Sequence, residues 1–176
     1  AVRNTAAGGT IDANGFDLSA RAFNGSSGTI DLGSGTVTVA AGSSGNEDFT
    51  ASLTGSGTLI KDGGFQQRLQ GPSVAFSGTV RPNNGLLIVN PTGGNLTGEP
   101  DLFFSSTDAN DGVIIGDQFN GKAIGLGNLD GSGSEAAKIR CDWGANGFRI
   151  LSVNQTTDGA FAGVIQQSNA SRDFAL

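Results

Sequence analysis

The chain has 176 residues, of which 30 are glycine, and it carries a formal net charge of −6 and no histidine. This glycine content disfavours a helical protein, because each glycine inside a helix costs about 1 kcal/mol relative to alanine. Without histidine the chain can build neither a Ser-His-Asp nor a Cys-His catalytic set, nor a His-ligated zinc site. Its acidic balance also argues against nucleic acid as a partner. An all-β protein without these chemistries is therefore expected.

The composition also supplies enough apolar surface for a packed core, since 36% of the residues are hydrophobic and 11 are phenylalanine. No apolar run approaches the roughly 20 residues that a membrane-spanning helix needs, so no membrane span is predicted. The single cysteine, Cys141, cannot form an internal disulfide and is interpreted as a small buried hydrophobic residue.

Short β-favouring segments, separated by glycine or asparagine, follow one another along the chain. In order they are Gly28–Leu32, Gly35–Val39, Gly57–Lys61, Val74–Phe76, Gly85–Val89, Gly112–Ile115, Ala137–Arg140, Phe148–Val153 and Phe161–Ile165. Each is too short for a helix and is bounded by residues that break one. The patterns of Thr36–Val39 and Thr58–Lys61 predict strands with apolar side chains on one face and polar side chains on the other.

Several of these segments resemble one another. An apolar residue, a spacer and a Gly-Ser-Gly turn recur in Ile30–Val37, Leu53–Leu59 and Leu129–Ser134. The first two are about 23 residues apart, which is the length of one three-sided coil of a β-helix. Phe49–Leu53 is echoed in the same way by Phe161–Ile165. These repeats favour a β-solenoid over an ordinary sheet protein.

Stacked coils would pair their backbones with one another and line up apolar side chains in the interior. The residues predicted to form most of this inward ladder are Leu59, Ile88, Val89, Ile114, Ile115, Ile150 and Val164. Gly35 and Gly57 are predicted at coil corners, where a positive φ is needed and a Cβ would clash. The alternative fold is a β-sandwich or jelly roll, which also has many short strands but does not predict recurring Gly-Ser-Gly corners.

Residues 49–90 resemble the autotransporter-associated β-strand repeat. The matching elements, in order, are Phe49–Lys61, Gly63-Gly64, Leu69-Gln70-Gly71, Phe76–Val80 and Gly85–Val89. The resemblance implies a right-handed parallel β-helix at a bacterial surface or secreted from it. It also implies a role as a stalk, adhesin or surface fibre.

Two acidic segments place oxygen ligands at nearly alternating positions, as calcium loops do. The first is Asp108–Gly112, with Asp108 and Asp111 as its acidic residues. The second is Asn128–Glu135, whose acidic part is Asp130–Glu135. Neither has the full pattern of an EF-hand or of a calcium-binding nonapeptide repeat. The sequence therefore predicts Asx-rich turns here, with calcium binding as the open alternative, and no metal site is assigned.

Enzymatic and glycan-binding roles would depend on different residues. Arg140, Asp142 and Arg149 could converge on a groove of a polysaccharide-degrading β-helix, but single charges scattered through turns favour solvated surface groups. Trp143 could stack on sugar rings, although core or end packing is the favoured interpretation. The four Asn-x-Ser/Thr triplets, at Asn24, Asn95, Asn154 and Asn169, are expected by chance in this composition. No catalytic residue and no cofactor are predicted.

The sequence thus predicts one β-solenoid domain over residues 1–176, as a segment or subunit of a longer assembly. The predicted function is that of an extracellular or cell-surface structural and adhesive protein that is not an enzyme and associates with itself end to end into a fibre. The alternative is a polysaccharide-binding or polysaccharide-degrading β-helix, with cell-surface glycans as partners. End-to-end association is expected because stacked coils leave open strand edges, and neither terminus has the composition of a polar cap.

Overall fold

The computed structural model describes residues 2–4, 9–25, 27–40, 47–50, 52–64, 66–70, 74–89, 98–104, 112–115, 122–131, 138–141, 149–167 and 174–175. Throughout this part of the chain the regular structure is β-strand, without helix. In chain order the strands are β1 (Val2–Asn4), β2 (Thr10–Asp12), β3 (Leu18–Ala20), β4 (Phe23–Gly25), β5 (Thr29–Asp31), β6 (Thr36–Ala40), β7 (Glu47–Phe49), β8 (Ser52–Gly55), β9 (Thr58–Asp62), β10 (Gln66–Leu69), β11 (Val74–Phe76), β12 (Thr79–Pro82), β13 (Leu86–Val89), β14 (Asp101–Phe104), β15 (Gly112–Ile115), β16 (Lys122–Leu126), β17 (Leu129–Gly131), β18 (Lys138–Cys141), β19 (Arg149–Val153), β20 (Val164–Gln167) and β21 (Phe174–Ala175).

The strands belong to four sheets that repeat along the chain. Sheet A has the order β1-β4-β7-β10-β13-β15-β18-β20, and sheet C has the order β17-β14-β12-β9-β6-β3. Sheet B, β11-β8-β5-β2, and sheet D, β16-β19-β21, form the side between them in the early and late coils. In the early coils the chain passes from A to B to C and back to A, and all the strand pairs described are parallel. This is a three-sided β-solenoid, which confirms the predicted class and excludes the sandwich alternative.

The strand register confirms the repeat length of about 23 residues that the Gly-Ser-Gly turns predict. Ile30 pairs with Leu53, which lies 23 positions later. Coils nearer the C-terminus are longer, since Lys138 pairs with Val164, 26 positions later. A parallel stack tolerates this variation because the extra residues can leave the ladder at the corners between sheets.

Alternate residues of the strands form continuous rows inside the solenoid. One row of sheet C, all of it buried in the core, is Val37, Leu59, Val80, Leu102 and Leu129. The residues that alternate with them, such as Thr36 and Thr38, are half-buried on the outside. Burial of an aliphatic side chain in such a row contributes about 1.5–3 kcal/mol. The rows are therefore the main source of stability.

The prediction that apolar and polar side chains of Thr58–Lys61 lie on opposite faces is wrong at two residues, Ile60 and Lys61. Leu59 and Lys61 both point inward, and Lys61 is completely buried, whereas Ile60 is half-buried on the outer face. Strand geometry forces this result, because residues two apart share a face whatever their polarity.

The predicted inward ladder is also corrected in part. Leu59 belongs to the core cluster, and in β13 so does Leu87, the neighbour of Ile88. In β20 it is Ile165, the neighbour of Val164, that packs against this cluster, and it is half-buried. Ile88 is buried without belonging to that core, and Val164 is half-buried. For the other four predicted residues the structure describes the backbone only: Val89 pairs with Leu69 and Ile115, Ile114 pairs with Ile88, and Ile150 pairs with Ala123 and Ala175.

The corner glycines confirm the predicted clash but not the predicted backbone angle. A Cβ on Gly35 would overlap the carbonyl oxygen of Phe16, and one on Gly57 would overlap that of Gly35. The positive φ values are instead found two residues earlier, at Gly33 (+56°) and Gly55 (+108°). Gly35 and Gly57 are thus required by the close approach of successive coils rather than by backbone conformation.

Two of the sequence echoes relate segments on different sides of the solenoid. Leu129 lies in sheet C, whereas Ile30 and Leu53 lie in sheet B. Phe161 bridges to Gly131 of sheet C, while Phe49 lies in sheet A. The comparison of Phe161–Ile165 with Phe49–Leu53 is therefore wrong as a statement of equivalent positions in the coil, because in sheet A Phe49 is aligned with Leu69 instead.

Candidate interaction surfaces

The corner between sheets B and C carries a stripe of small polar residues. Ser34, Ser56 and Ser77 are all exposed there, each followed by a glycine that packs against an adjacent coil. The next residues, Thr36, Thr58 and Thr79, are aligned in register and half-buried. This corner therefore presents hydroxyl groups at a regular spacing on a smooth backbone surface.

The outer face of sheet C combines apolar, aromatic and charged groups. The guanidinium carbon of Arg81 lies 4.7 Å from the centre of the Phe103 ring. Arg81 is exposed, while Phe103 and Ile60 are half-buried. An exposed cation–π pair of this kind contributes about 0.5–1 kcal/mol and holds the arginine over the sheet. This face therefore offers polar contacts through the arginine and apolar contacts through the half-buried Phe103 and Ile60.

Lys61 occupies a site in the interior that the sequence did not reveal. Its Nζ donates hydrogen bonds to the carbonyl oxygens of Gly63 (2.7 Å), Asn84 (2.9 Å) and Asp62 (3.1 Å). Asn84 belongs to the next coil, so the ammonium group joins the turns of two successive coils. Three donors meeting three carbonyl acceptors satisfy a buried lysine, which gives Lys61 a structural role.

The side chain of Gln67 forms hydrogen bonds with the backbone of Phe23 in the way that a neighbouring strand would. Its Oε1 accepts the Phe23 N–H (3.0 Å), and its Nε2 donates to the Phe23 carbonyl (3.1 Å), although the two residues are 44 positions apart. Strand β7, which lies between them in sheet A, pairs with β4 only at Gly25 and Phe49. The side-chain amide therefore supplies the donor and the acceptor that a peptide group would supply.

A second polar network surrounds residues 154–160, which pass beside β17 just before Phe161 bridges to Gly131. The Oδ1 of Asn128 accepts the N–H groups of Thr156 (2.8 Å) and Thr157 (3.1 Å). The Oδ1 of Asp130 accepts the N–H groups of Gly131 (2.7 Å) and Ala160 (3.1 Å). These bonds mostly join successive coils, since Thr156, Thr157 and Ala160 lie 28 to 30 positions after their acceptors. The predicted Asx turns stay a prediction, because residues 132–135 lie outside the described part of the chain.

The other residues weighed for metal binding lie mostly outside the described part of the chain. This holds for residues 108–111 and 132–135. In the part that the structure describes, no three Asp, Glu or Cys side chains are grouped so that they could hold a metal ion. Calcium binding stays an untested alternative.

The residues weighed for catalysis are not brought into one strand row. Arg140 lies in β18 of sheet A, and Arg149 lies in β19 of sheet D, on another side of the same coil. Asp142 and Trp143 lie outside the described residues, as does the side chain of Cys141. Of the four triplet asparagines, Asn24 and Asn154 are described and exposed, and Asn95 and Asn169 are not described.

The described residues include no helix with the length and apolar character needed to cross a membrane.

Comparison with known proteins gives one informative similarity. No protein-family model and no solved structure matches the chain. The chain is 31% identical, over 177 aligned positions that cover 98% of it, to the protein named adhesin BmaC autotransporter from Brucella suis biovar 1 (strain 1330). It spans 5% of the length of that protein. The chain is thus similar along nearly its whole length to a short stretch of a long autotransporter adhesin, and its β-solenoid fold is that of a passenger-like β-helix.

Proposed function

We propose that this chain is a surface-exposed, adhesive β-solenoid segment of an autotransporter-like bacterial protein. The observation that carries the proposal is its full-length similarity to a protein named as an adhesin, together with a solenoid fold. Because each coil satisfies its backbone against its neighbours, all outward side chains of a solenoid are free to vary and to make contacts. Such a scaffold suits adhesion by many weak contacts spread along its length, and the role is non-enzymatic.

An adhesion assay tests the proposal directly. Beads coated with the folded chain should be retained on animal-cell monolayers more strongly than beads coated with an inert protein of the same net charge, −6. Beads coated with heat-unfolded chain serve as a second control, because only the folded chain presents the outer faces. Equal retention of all three bead types would overturn the adhesive role.

The outer face of sheet C is the proposed contact surface, and cell-surface glycans are its proposed partners. Phe103 offers a half-buried ring, and Arg81 offers exposed donors beside it. Phe103→Ala and Arg81→Ala should weaken binding on a glycan panel, whereas Asp12→Ala, an exposed change on sheet B, should not. Turnover of a glycan by the wild-type chain would instead support the polysaccharide-degrading alternative.

End-to-end self-association is the finer part of the proposal. Strands β2 and β3 lie at edges of sheets B and C, where a further coil can add. An inward charge at such an edge opposes strand addition, so Ile11→Lys should lower the oligomer population in sedimentation velocity. Thr10→Lys is the matched control, because Thr10 is exposed whereas Ile11 packs against the core. A chain that stays monomeric at all concentrations would refute self-association.

A further inference from the structure

Arg81 is an exposed cation that has no carboxylate partner within the part of the chain that the structure describes. It belongs to an outward-facing row of sheet C, which runs across the coils in the order Thr38, Ile60, Arg81, Phe103 and Asp130. Arg68, in contrast, contacts the carboxylate of Asp48 (3.5 Å). The guanidinium carbon of Arg81 instead lies 4.7 Å from the centre of the Phe103 ring. Contact with a ring leaves the N–H donors at the edges of the guanidinium group available to an acceptor from outside.

Two carboxylates on the same face of sheet C are already engaged. The Oδ1 of Asp130 accepts two backbone N–H groups (2.7 and 3.1 Å). The Oδ1 of Asp101 accepts the backbone N–H (2.7 Å) and the side-chain amide (3.0 Å) of Asn128. Charges more than about 8 Å apart are largely screened at physiological ionic strength, so the net charge of −6 does not exclude an acidic ligand at Arg81.

The groups around Arg81 suit a sugar polymer. Ile60, the neighbour of Arg81 in the row, is half-buried and offers an apolar contact. Thr58 and Thr79 lie on the same face, aligned with each other and half-buried, and their hydroxyls can exchange hydrogen bonds with sugar hydroxyls. Adjacent strands of a sheet are about 4.8 Å apart, so an extended polymer along the row meets a new outward side chain at each coil.

We infer that Arg81 is the residue of the outer face of sheet C that recognises an anion, and that the glycan bound there is an acidic polysaccharide whose sugars carry carboxylates. The guanidinium group donates two parallel N–H bonds to one carboxylate, which is the geometry that arginine matches best. Phe103 is a positioning residue, because its ring holds the arginine over the sheet. The inference rests on the proposed function, since it names the class of glycan that this face binds. An acidic peptide also carries carboxylates but lacks the sugar hydroxyls that Thr58 and Thr79 can meet.

Titration of the folded chain with a labelled oligogalacturonate tests the inference. The matched ligand is the same oligomer with its carboxylates converted to methyl esters, which keeps the rings and hydroxyls and removes the charge. The wild type should bind the acid at least about tenfold more tightly than the ester, as charge-assisted hydrogen bonds predict. Arg81→Gln should remove this preference. Arg21→Gln, which removes an exposed cation between β3 and β4, should keep it.

Phe103→Leu tests the positioning role of the ring. Leucine keeps an apolar side chain beside Arg81 but offers no ring face to the guanidinium group. The ratio of the acid affinity to the ester affinity should fall by about threefold, while the ester affinity itself stays the same. An unchanged ratio in Phe103→Leu would refute the positioning role.

Three results would overturn the acidic-polysaccharide inference. The first is equal affinity of the wild type for acid and ester. The second is an equal loss of preference in Arg21→Gln, which would indicate a general effect of charge. The third is binding of poly-glutamate as tight as that of oligogalacturonate, which would assign the site to an acidic peptide.

The bead assay separates this inference from the proposed adhesive role. Retention of the coated beads on cells, without a preference for the acid in the titration, would overturn the acidic-polysaccharide inference alone. A preference for the acid that depends on Arg81, without retention of the beads, would overturn the adhesive role alone.

Discussion

Gly57 shows how closely neighbouring coils approach at the corner between sheets B and C. A Cβ at this position would overlap the Gly35 carbonyl oxygen, which accepts the Thr58 N–H of the next coil (2.9 Å). The obstacle is backbone on both sides, so no side-chain rotation can relieve it. The spacing of the coils at this corner therefore depends on the absence of a side chain.

Replacement of Gly57 by alanine should for this reason lower the free energy of unfolding by about 2 kcal/mol or more. Gly64→Ala is the matched control, because a Cβ on Gly64 meets nothing within 4 Å. Urea denaturation monitored by circular dichroism measures both variants. Equal stability of Gly57→Ala and Gly64→Ala would show that the corner can open without cost.

Lys61 is the second residue whose environment explains its chemistry. Its ammonium group is buried, and the three carbonyls that it contacts would lose their partner in Lys61→Met. This variant keeps the side-chain length, and we expect a loss of about 1–3 kcal/mol of stability from unsatisfied carbonyls. Arg21→Met, at an exposed cation, should change stability by less than about 0.5 kcal/mol. If thermal denaturation showed the same stability for Lys61→Met and Arg21→Met, the buried hydrogen-bonding role of Lys61 would be contradicted.

In sheet A, one side chain completes the hydrogen bonding between strands where β4 and β7 are not fully paired. Phe23 is buried, and its N–H and carbonyl are both bound by the amide of Gln67. Buried backbone groups are almost always paired, and here the regular partner strand does not reach them. A glutamine on the strand beyond the gap solves the problem with one residue.

Gln67→Leu tests this role with a side chain of similar size. The Phe23 amide should exchange faster, and stability should fall by about 1–3 kcal/mol, because two buried backbone groups become unpaired. Gln70→Leu, just after the same strand, serves as the control at a half-buried position. If the Phe23 amide kept its protection in Gln67→Leu, another group would have to be its partner.

At the scale of the whole molecule, a solenoid is held together by contacts between adjacent coils. Leu59 in β9 stacks directly on Val37 of β6 and Val80 of β12. Strand β19 belongs to sheet D and is not paired with β9. Each coil should therefore be stabilised mainly by its immediate neighbours along the axis.

Leu59→Ala should accordingly raise amide exchange most in β6, β9 and β12, with a weaker effect in β17 and β19. The expected global cost is about 2–5 kcal/mol, whereas Ile60→Ala, on the outer face of the same strand, should cost about 1 kcal/mol. Hydrogen exchange with mass spectrometry resolves the gradient. A uniform rise in exchange over all coils would indicate a single cooperative unit instead.

Local sequence patterns were enough to predict the fold class, nine of the 21 described strands and the repeat length of the early coils. Glycine content excluded helices, and local patterns such as Thr36–Val39 sufficed for strand positions because β-propensity and alternation are properties of neighbouring residues. The 23-residue relation between Ile30 and Leu53 was readable because their turns are nearly identical.

Which face of each strand is inside, and which residues meet across coils, depends on how the strands pair in the folded chain. Leu59 and Ile60 are equally apolar, and their two environments depend on register, which is set by pairing with residues about twenty positions away. The burial of Lys61 depends on carbonyls from two turns, and the role of Gln67 depends on a gap left by another strand. Such relations are long-range, so residue type and local periodicity do not encode them.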